Sequence, residues 1–233
     1  MSSEIGFVLF VASVIVLGVI VPKWLQLRRA EFIRTYRWPR GLLDRLEKHH
    51  PAFQRKDSAL VSRGLRQFFL AYLMSGKRYV SMPSQVADDL WHEFILYTRE
   101  YDAFCRRAFG GFLHHAPAVV LSEHRKSNEG LRRVWWYCCK YENIDPVSPT
   151  RLPLLFALDS KFNVANGFVY HPDCEALRRN GSGAAHCGGD FADSSVDGGT
   201  SGFGDGGGHG GDGGGDGGGG GDGGGGGGCG GGD

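Results

Sequence analysis

The chain has 233 residues with a formal net charge of +1, enough for one domain or two small ones. The near-neutral total hides a split: all 26 Lys and Arg and 17 of the acidic residues lie between Glu4 and Arg179, a surplus of nine positive charges, whereas residues 190–233 carry eight Asp and no Lys or Arg. Thirty of the 39 glycines fall between Gly181 and Gly232, and a stretch so poor in apolar side chains cannot bury enough surface to offset its ordering entropy, which excludes a packed fold there.

Taken in chain order, Ile5 to Val21 is 17 residues without a charge, extended in apolar character by Trp24 and Leu25. A helix of roughly 20 such residues crosses a hydrocarbon core. The first four residues carry no positive charge and no A-x-A site follows, so the pattern reads as a retained transmembrane helix rather than a cleaved signal. Lys23, Arg28, Arg29, Arg34, Arg37 and Arg40 all follow the span and none precedes it. This places the N-terminus outside and the body in the cytoplasm, with Trp24, Arg28 and Arg29 as the anchor flank against anionic lipid headgroups.

The rest reads as helices. Residues 29–36 extend the first helix toward Trp38-Pro39, because a residue before proline is pushed out of helical geometry. A short helix follows Pro39 and stops at Pro51. Leu60, Val61, Leu65, Phe68, Phe69, Tyr72 and Leu73 recur at spacings of three and four, an amphipathic helix with Gly76 beyond its end. Ser84, or Ser81 one turn earlier, caps a helix whose apolar stripe is Val86, Leu90, Phe94, Tyr97 and Tyr101 and which closes near Gly110-Gly111. Another helix holds Val134, Trp135, Cys138 and Tyr141 on one side, residues 149–163 contribute a short helical turn, and residues 167–172 are extended. The fold class is all-α. The expected organisation is a transmembrane anchor over 1–25, a juxtamembrane helical segment over 26–55, a compact helical domain over 56–176 and a disordered acidic, glycine-rich tail over 177–233.

The stretch from Asp88 to His115 gathers the residue types that do chemistry. Asp88 and His92 are four apart and share one helix face, where a carboxylate can hold an imidazole in one tautomer; Asp89 can substitute. His114 and His115 follow the double glycine, so one of them can fold back toward His92. On an unbroken helix Cys105 points about 220° away from His92, so a shared site needs a break between them. Asp88, His92, Cys105 and His115 form a conceivable ligand set for a zinc-like divalent metal. The same spacings also suit a helical core with a satisfied histidine and a small buried thiol.

These residues resemble the signature of the glycine-rich domain-containing protein family, in its bacterial membrane-anchored branch. That signature is an Asp, then Trp-His, a Tyr nine residues after the His, a Cys four later, and then Gly and His. It falls on Asp88, Trp91, His92, Tyr101, Cys105, Gly110 and His115. Plant members often carry Trp-His-x-His, and here Phe94 stands at the second His. The resemblance implies a shared fold and polar cluster, with no substrate attached.

Other patterns carry less. The tail lacks the apolar residue that each repeat of a calcium β-roll needs, no phosphate-binding loop accompanies the glycines, and His186, Cys187, His209 and Cys229 suit a solvated linker better than a soft-metal site. The aromatics fall at core spacing without a nucleic-acid-binding signature, which argues against nucleic acid as a partner. Ser122-Glu123-His124 is contiguous, as triads rarely are. Two readings stand at this level: a single-pass membrane protein whose cytosolic helical domain and tail meet a protein partner, and a metal- or thiol-dependent enzyme built on the Asp/His/Cys/His set.

Overall fold

A computed structural model of the protein describes residues 2–115, 126–172, 186–187 and 191. Among the described residues it is all-helical apart from one two-residue bridge. The helices are α1 (Ser2–Thr35), α2 (Leu42–His49), α3 (Arg55–Met74), α4 (Gln85–Leu96), α5 (Thr98–Phe109), α6 (Lys126–Tyr141) and α7 (Leu154–Phe162). β1 (Tyr170–His171) pairs in parallel with β2 (His186–Cys187).

Helix α3 is the axle. The apolar positions predicted along it are buried or half-buried, and α1, α2, α4, α6 and α7 all pack around it. Its start is held by a capping box, in which the Gln54 amide donates to Asp57 Oδ2 at 2.9 Å. Gly130 lets α6 come close to the 79–81 segment: a Cβ there would sit 2.8 Å from the Ser81 amide nitrogen and 2.5 Å from its hydroxyl. That contact leaves no room for a side chain.

The core is wider than the sequence boundaries at 26–55 and 177 suggest. Ala30, Ile33, Leu42 and Leu46 are fully buried, so the lower part of α1 and all of α2 belong to the same core as α3. On the other side Phe191 is buried against Trp135, Phe156 and Tyr170, and β2 pairs with β1. Glycine content read over the whole tail hides these few ordered contacts near its start. The remainder of the tail, Ser122–His124 and Cys174 lie outside the described residues.

Helix α1 continues without a break through Pro22 and shows no apolar stripe. Its described side chains before the core, among them Phe7, Phe10, Val14, Ile20 and Trp24, are exposed. Among the described residues no helix is long and apolar enough to cross a membrane.

A polar clamp ties α3, α6 and α7 together. Glu142 accepts from Gln67 Nε2 at 2.8 Å, from the Leu154 amide at 2.6 Å and from Arg151, while Gln67 Oε1 accepts from the Leu155 amide at 3.1 Å. Burial alone would raise the Glu142 carboxyl, but the Leu154 amide, Arg151 and Gln67 outweigh it and hold it below its ordinary value of 4.5. A depressed carboxyl stabilises the fold above that ordinary value, and the contribution is lost as pH falls through the lower folded value. Glu142→Gln should therefore cost roughly 1–3 kcal/mol in urea denaturation at neutral pH, and the difference from wild type should shrink below about pH 4.5.

Candidate metal centre

The helix predicted to run from Ser84 to the double glycine is two helices. Ser84 caps α4, its hydroxyl accepting from the Ala87 amide at 3.3 Å. At Tyr97 (φ −81°, ψ 62°) the chain leaves helical geometry, and α5 begins at Thr98. The break has a visible cause in side-chain pairing. Trp91 Nε1 donates to the Tyr101 hydroxyl at 3.1 Å, whereas ten residues along one straight helix would separate them by about 15 Å. The kink buries Phe94 against both Tyr101 and Phe104.

Helix α5 ends on Gly110, whose φ of 77° is left-handed and whose missing Cβ leaves room for Arg29 Nη2, 2.8 Å from where that carbon would be. The chain then folds back over α5. The Tyr101 hydroxyl donates to the Leu113 carbonyl at 2.6 Å, and Cys105 contacts both the Leu113 backbone and Tyr101. Two residues on, His115 arrives at α4. Its Nε2 lies 2.9 Å from Asp88 Oδ1, its ring packs edge-on to Trp91 with centroids 4.5 Å apart, and it sits 4.3 Å from the His92 ring. His92 Nδ1 is 3.5 Å from Asp88 Oδ2.

Asp88, His92 and His115 each present one ligand atom, and these atoms lie within 4.8 Å of one another. Tetrahedral bonds of about 2.0–2.1 Å set neighbouring ligand atoms roughly 3.3 Å apart, so the three groups are near enough to close on one ion with small side-chain shifts. Asp88 and His115 are mostly covered, with side chains 19 % and 14 % exposed, while His92 is 53 % exposed. The trio thus has a fixed floor and an open side.

Cys105 does not join this trio. It is fully buried on the inner face of α5, and burial pushes its thiol up from its ordinary value, the opposite of what activates a nucleophile or a thiolate ligand. Tyr101 is likewise a positioning residue, its phenol pushed well up by burial and by Cys105. His114 faces out beside Phe112, centroids 4.8 Å apart. Cys138 and Cys139 are buried free thiols, both raised by burial, Cys139 to about 12.

Several residues around the site were not legible in the sequence. Asp89 does not substitute for Asp88: it accepts from His50 Nε2 at 2.9 Å and Gln85 Nε2 at 3.0 Å. Glu93 pairs with His49 at 3.0 Å and Arg45 at 3.2 Å. The three acids of α4 are therefore each matched by a histidine, two from the end of α2 and one from the segment after α5. Asp159 of α7, 3 % exposed, anchors the start of α4, accepting from the Ser84 hydroxyl and Gln85 amide at 2.7 Å, the Val86 amide at 3.1 Å and the Phe168 amide at 2.9 Å. A carboxylate at a helix N-terminus is favoured by the amides it accepts from and by the dipole. The adjacency of Ser84 to a helix start was the one hint of this anchor, and it said nothing of a partner 75 residues away.

The UCP032817-like family description matches residues 28–191, more than half of the chain. The chain belongs to the UCP032817-like family. The matched span opens in the lower half of α1 and closes on the buried Phe191, so the family covers the folded core together with the Asp88–His92–His115 trio. This match does not link the chain to the glycine-rich domain-containing family. No curated protein matches the chain. No solved structure matches it either.

Proposed function

We propose that the protein is a membrane-tethered helical domain that holds a zinc-like divalent cation on Asp88, His92 and His115. The observation that carries the metal reading is the return of the 112–115 segment, which brings a second imidazole onto a carboxylate already paired, four residues along α4, with the first. Two imidazoles and one carboxylate suit zinc, and three protein ligands leave a fourth position for water or a substrate oxygen. That position would open on the exposed side of His92. A cation there would supply a water acidified toward neutral pH or a polarised carbonyl.

The tether reading rests on the uncharged run Ile5–Val21, on the exposure of the described apolar side chains of α1, and on the cations that follow the run. It puts the domain and the glycine-rich tail at the cytoplasmic face, where the tail reaches protein partners. The resemblance to the glycine-rich domain-containing family supports the same residues as a shared polar cluster.

Metal analysis tests the reading directly. Full-length protein purified in detergent should carry about one equivalent of zinc, or take up about one equivalent of cobalt(II) after stripping. His92→Ala, His115→Ala and Asp88→Asn should each weaken binding by about 100-fold or more, since even loss of an outer partner weakens such sites by 10–100-fold. Wild-type protein without stoichiometric metal, or variants that bind as wild type does, would remove the metal from the proposal.

A further inference from the structure

At the end of the domain where α1 enters, three stretches far apart in sequence meet. Gln26 Nε2 donates to the Leu73 carbonyl at 3.4 Å, and Arg29 Nη1 and Lys77 Nζ converge on the Phe109 carbonyl at 3.3 and 3.2 Å. Residues 23–29, 74–79 and 106–112 therefore share one end of the fold. Together they hold seven Lys and Arg and no Asp or Glu. Arg106 is paired with Asp102 of its own helix at 2.8 Å, which leaves six cations without an acid in these stretches. The same stretches carry exposed apolar side chains: Trp24 (52 %), Met74 (38 %), Tyr79 (36 %) and Phe112 (44 %).

Crowding like charges beside exposed aromatics costs the isolated domain stability and solubility, so the arrangement needs a partner that rewards both. An anionic bilayer surface does: Trp and Tyr favour the headgroup level, long cationic side chains lie over apolar surface with their heads in water, and each Lys or Arg near the surface adds attraction. The geometry agrees. Arg28 is only about 10 Å along the helix from Val21, the last residue of the uncharged run. The two stretches bonded to α1 by Leu73 and Phe109 are drawn to the same level.

From this convergence we infer that residues 23–29, 74–79 and 106–112 form a face that lies against an anionic lipid leaflet. The inference rests on the tether reading above and adds to it: the folded domain docks on the membrane instead of hanging from a stalk. The face also ends beside the metal cluster, because Phe112 precedes His115 by three residues, at most about 10 Å of chain. The Asp88–His92–His115 site would then open near headgroup level.

Hydrogen exchange on the full chain in lipid nanodiscs tests this. In discs of phosphatidylcholine containing phosphatidylserine, amides of 74–79 and 110–113 should be protected several-fold more than in pure phosphatidylcholine discs. Arg78→Glu combined with Arg107→Glu should abolish the difference, since removing each cation weakens lipid attraction on the order of fivefold. High salt should abolish it in the unaltered chain, an arm that needs no variant to fold. Equal protection in the two kinds of disc overturns the face while leaving the tether. A chain that stays soluble and monodisperse without detergent or discs overturns the tether and the face with it. Protection produced equally by single-stranded RNA added over phosphatidylcholine discs overturns the lipid assignment in favour of a general polyanion surface.

Discussion

Tyr101→Phe should destabilise the protein by about 2–4 kcal/mol and, in the same stroke, weaken the proposed metal site. One oxygen is removed, but two buried groups lose their partner: the Trp91 indole N–H, 3.1 Å away, and the Leu113 carbonyl, 2.6 Å away. A buried polar group left unsatisfied costs about 1–3 kcal/mol, and here there are two. The first loss loosens the junction of α4 with α5. The second releases the segment that carries His115, so metal affinity should fall by about 10–100-fold although no ligand has been touched. A lowered urea midpoint together with weaker cobalt(II) uptake is the expected pair of results. Lowered stability with unaltered uptake would mean that Leu113 is held well enough by Cys105 and by packing, and that Tyr101 serves the core alone.

The Asp159 anchor predicts an effect at least as large. Asp159→Ala removes a buried carboxylate that accepts four hydrogen bonds, two of them from the first-turn amides of α4. Breaking a buried charged network of this kind costs about 3–5 kcal/mol, enough to unfold a domain of ordinary stability. Asp159→Asn keeps the shape but sets an NH2 donor against one or more amide donors, so it should fall between wild type and Asp159→Ala. Thermal unfolding gives the ranking, and amide exchange at Val86 and Phe168 reports the site itself. If Asp159→Asn matched wild type in both, the anchor would be packing rather than hydrogen bonding. Because Asp88 lies one turn beyond these amides, a displaced start of α4 would also shift the metal trio.

Much of the helical scaffold was legible along the chain. The three-and-four spacing from Leu60 to Leu73 marks α3, and its residues are the most widely packed in the core. Ser84 as a cap and Gly110 as a stop both follow from what a helix end requires of its backbone. Asp88 with His92 was legible too, since residues four apart share a face whatever the tertiary fold. The break at Tyr97 was not. Val86, Leu90, Phe94, Tyr97 and Tyr101 keep a helical rhythm straight through it, and the kink comes from the pairing of Trp91 with Tyr101 and from what both pack against. Tyr141 shows the same limit: its spacing matched the buried side of α6, yet it is exposed, with Arg34 lying 5.8 Å over its ring.

Local patterns along the chain thus determined which segments are helical, where most of them stop, and which carboxylate stands beside which histidine on α4. These properties depend on backbone geometry repeated over a few residues, and that geometry is the same wherever the helix is placed. Only the tertiary structure decided that His115 rather than Cys105 completes the trio, that His49 and His50 take Glu93 and Asp89, and that Asp159 holds the first turn of α4. Each of these is a hydrogen bond between elements 27 to 75 residues apart. Such a bond exists because two packed surfaces bring a donor and an acceptor to the same buried point, and no periodicity in the chain encodes that meeting.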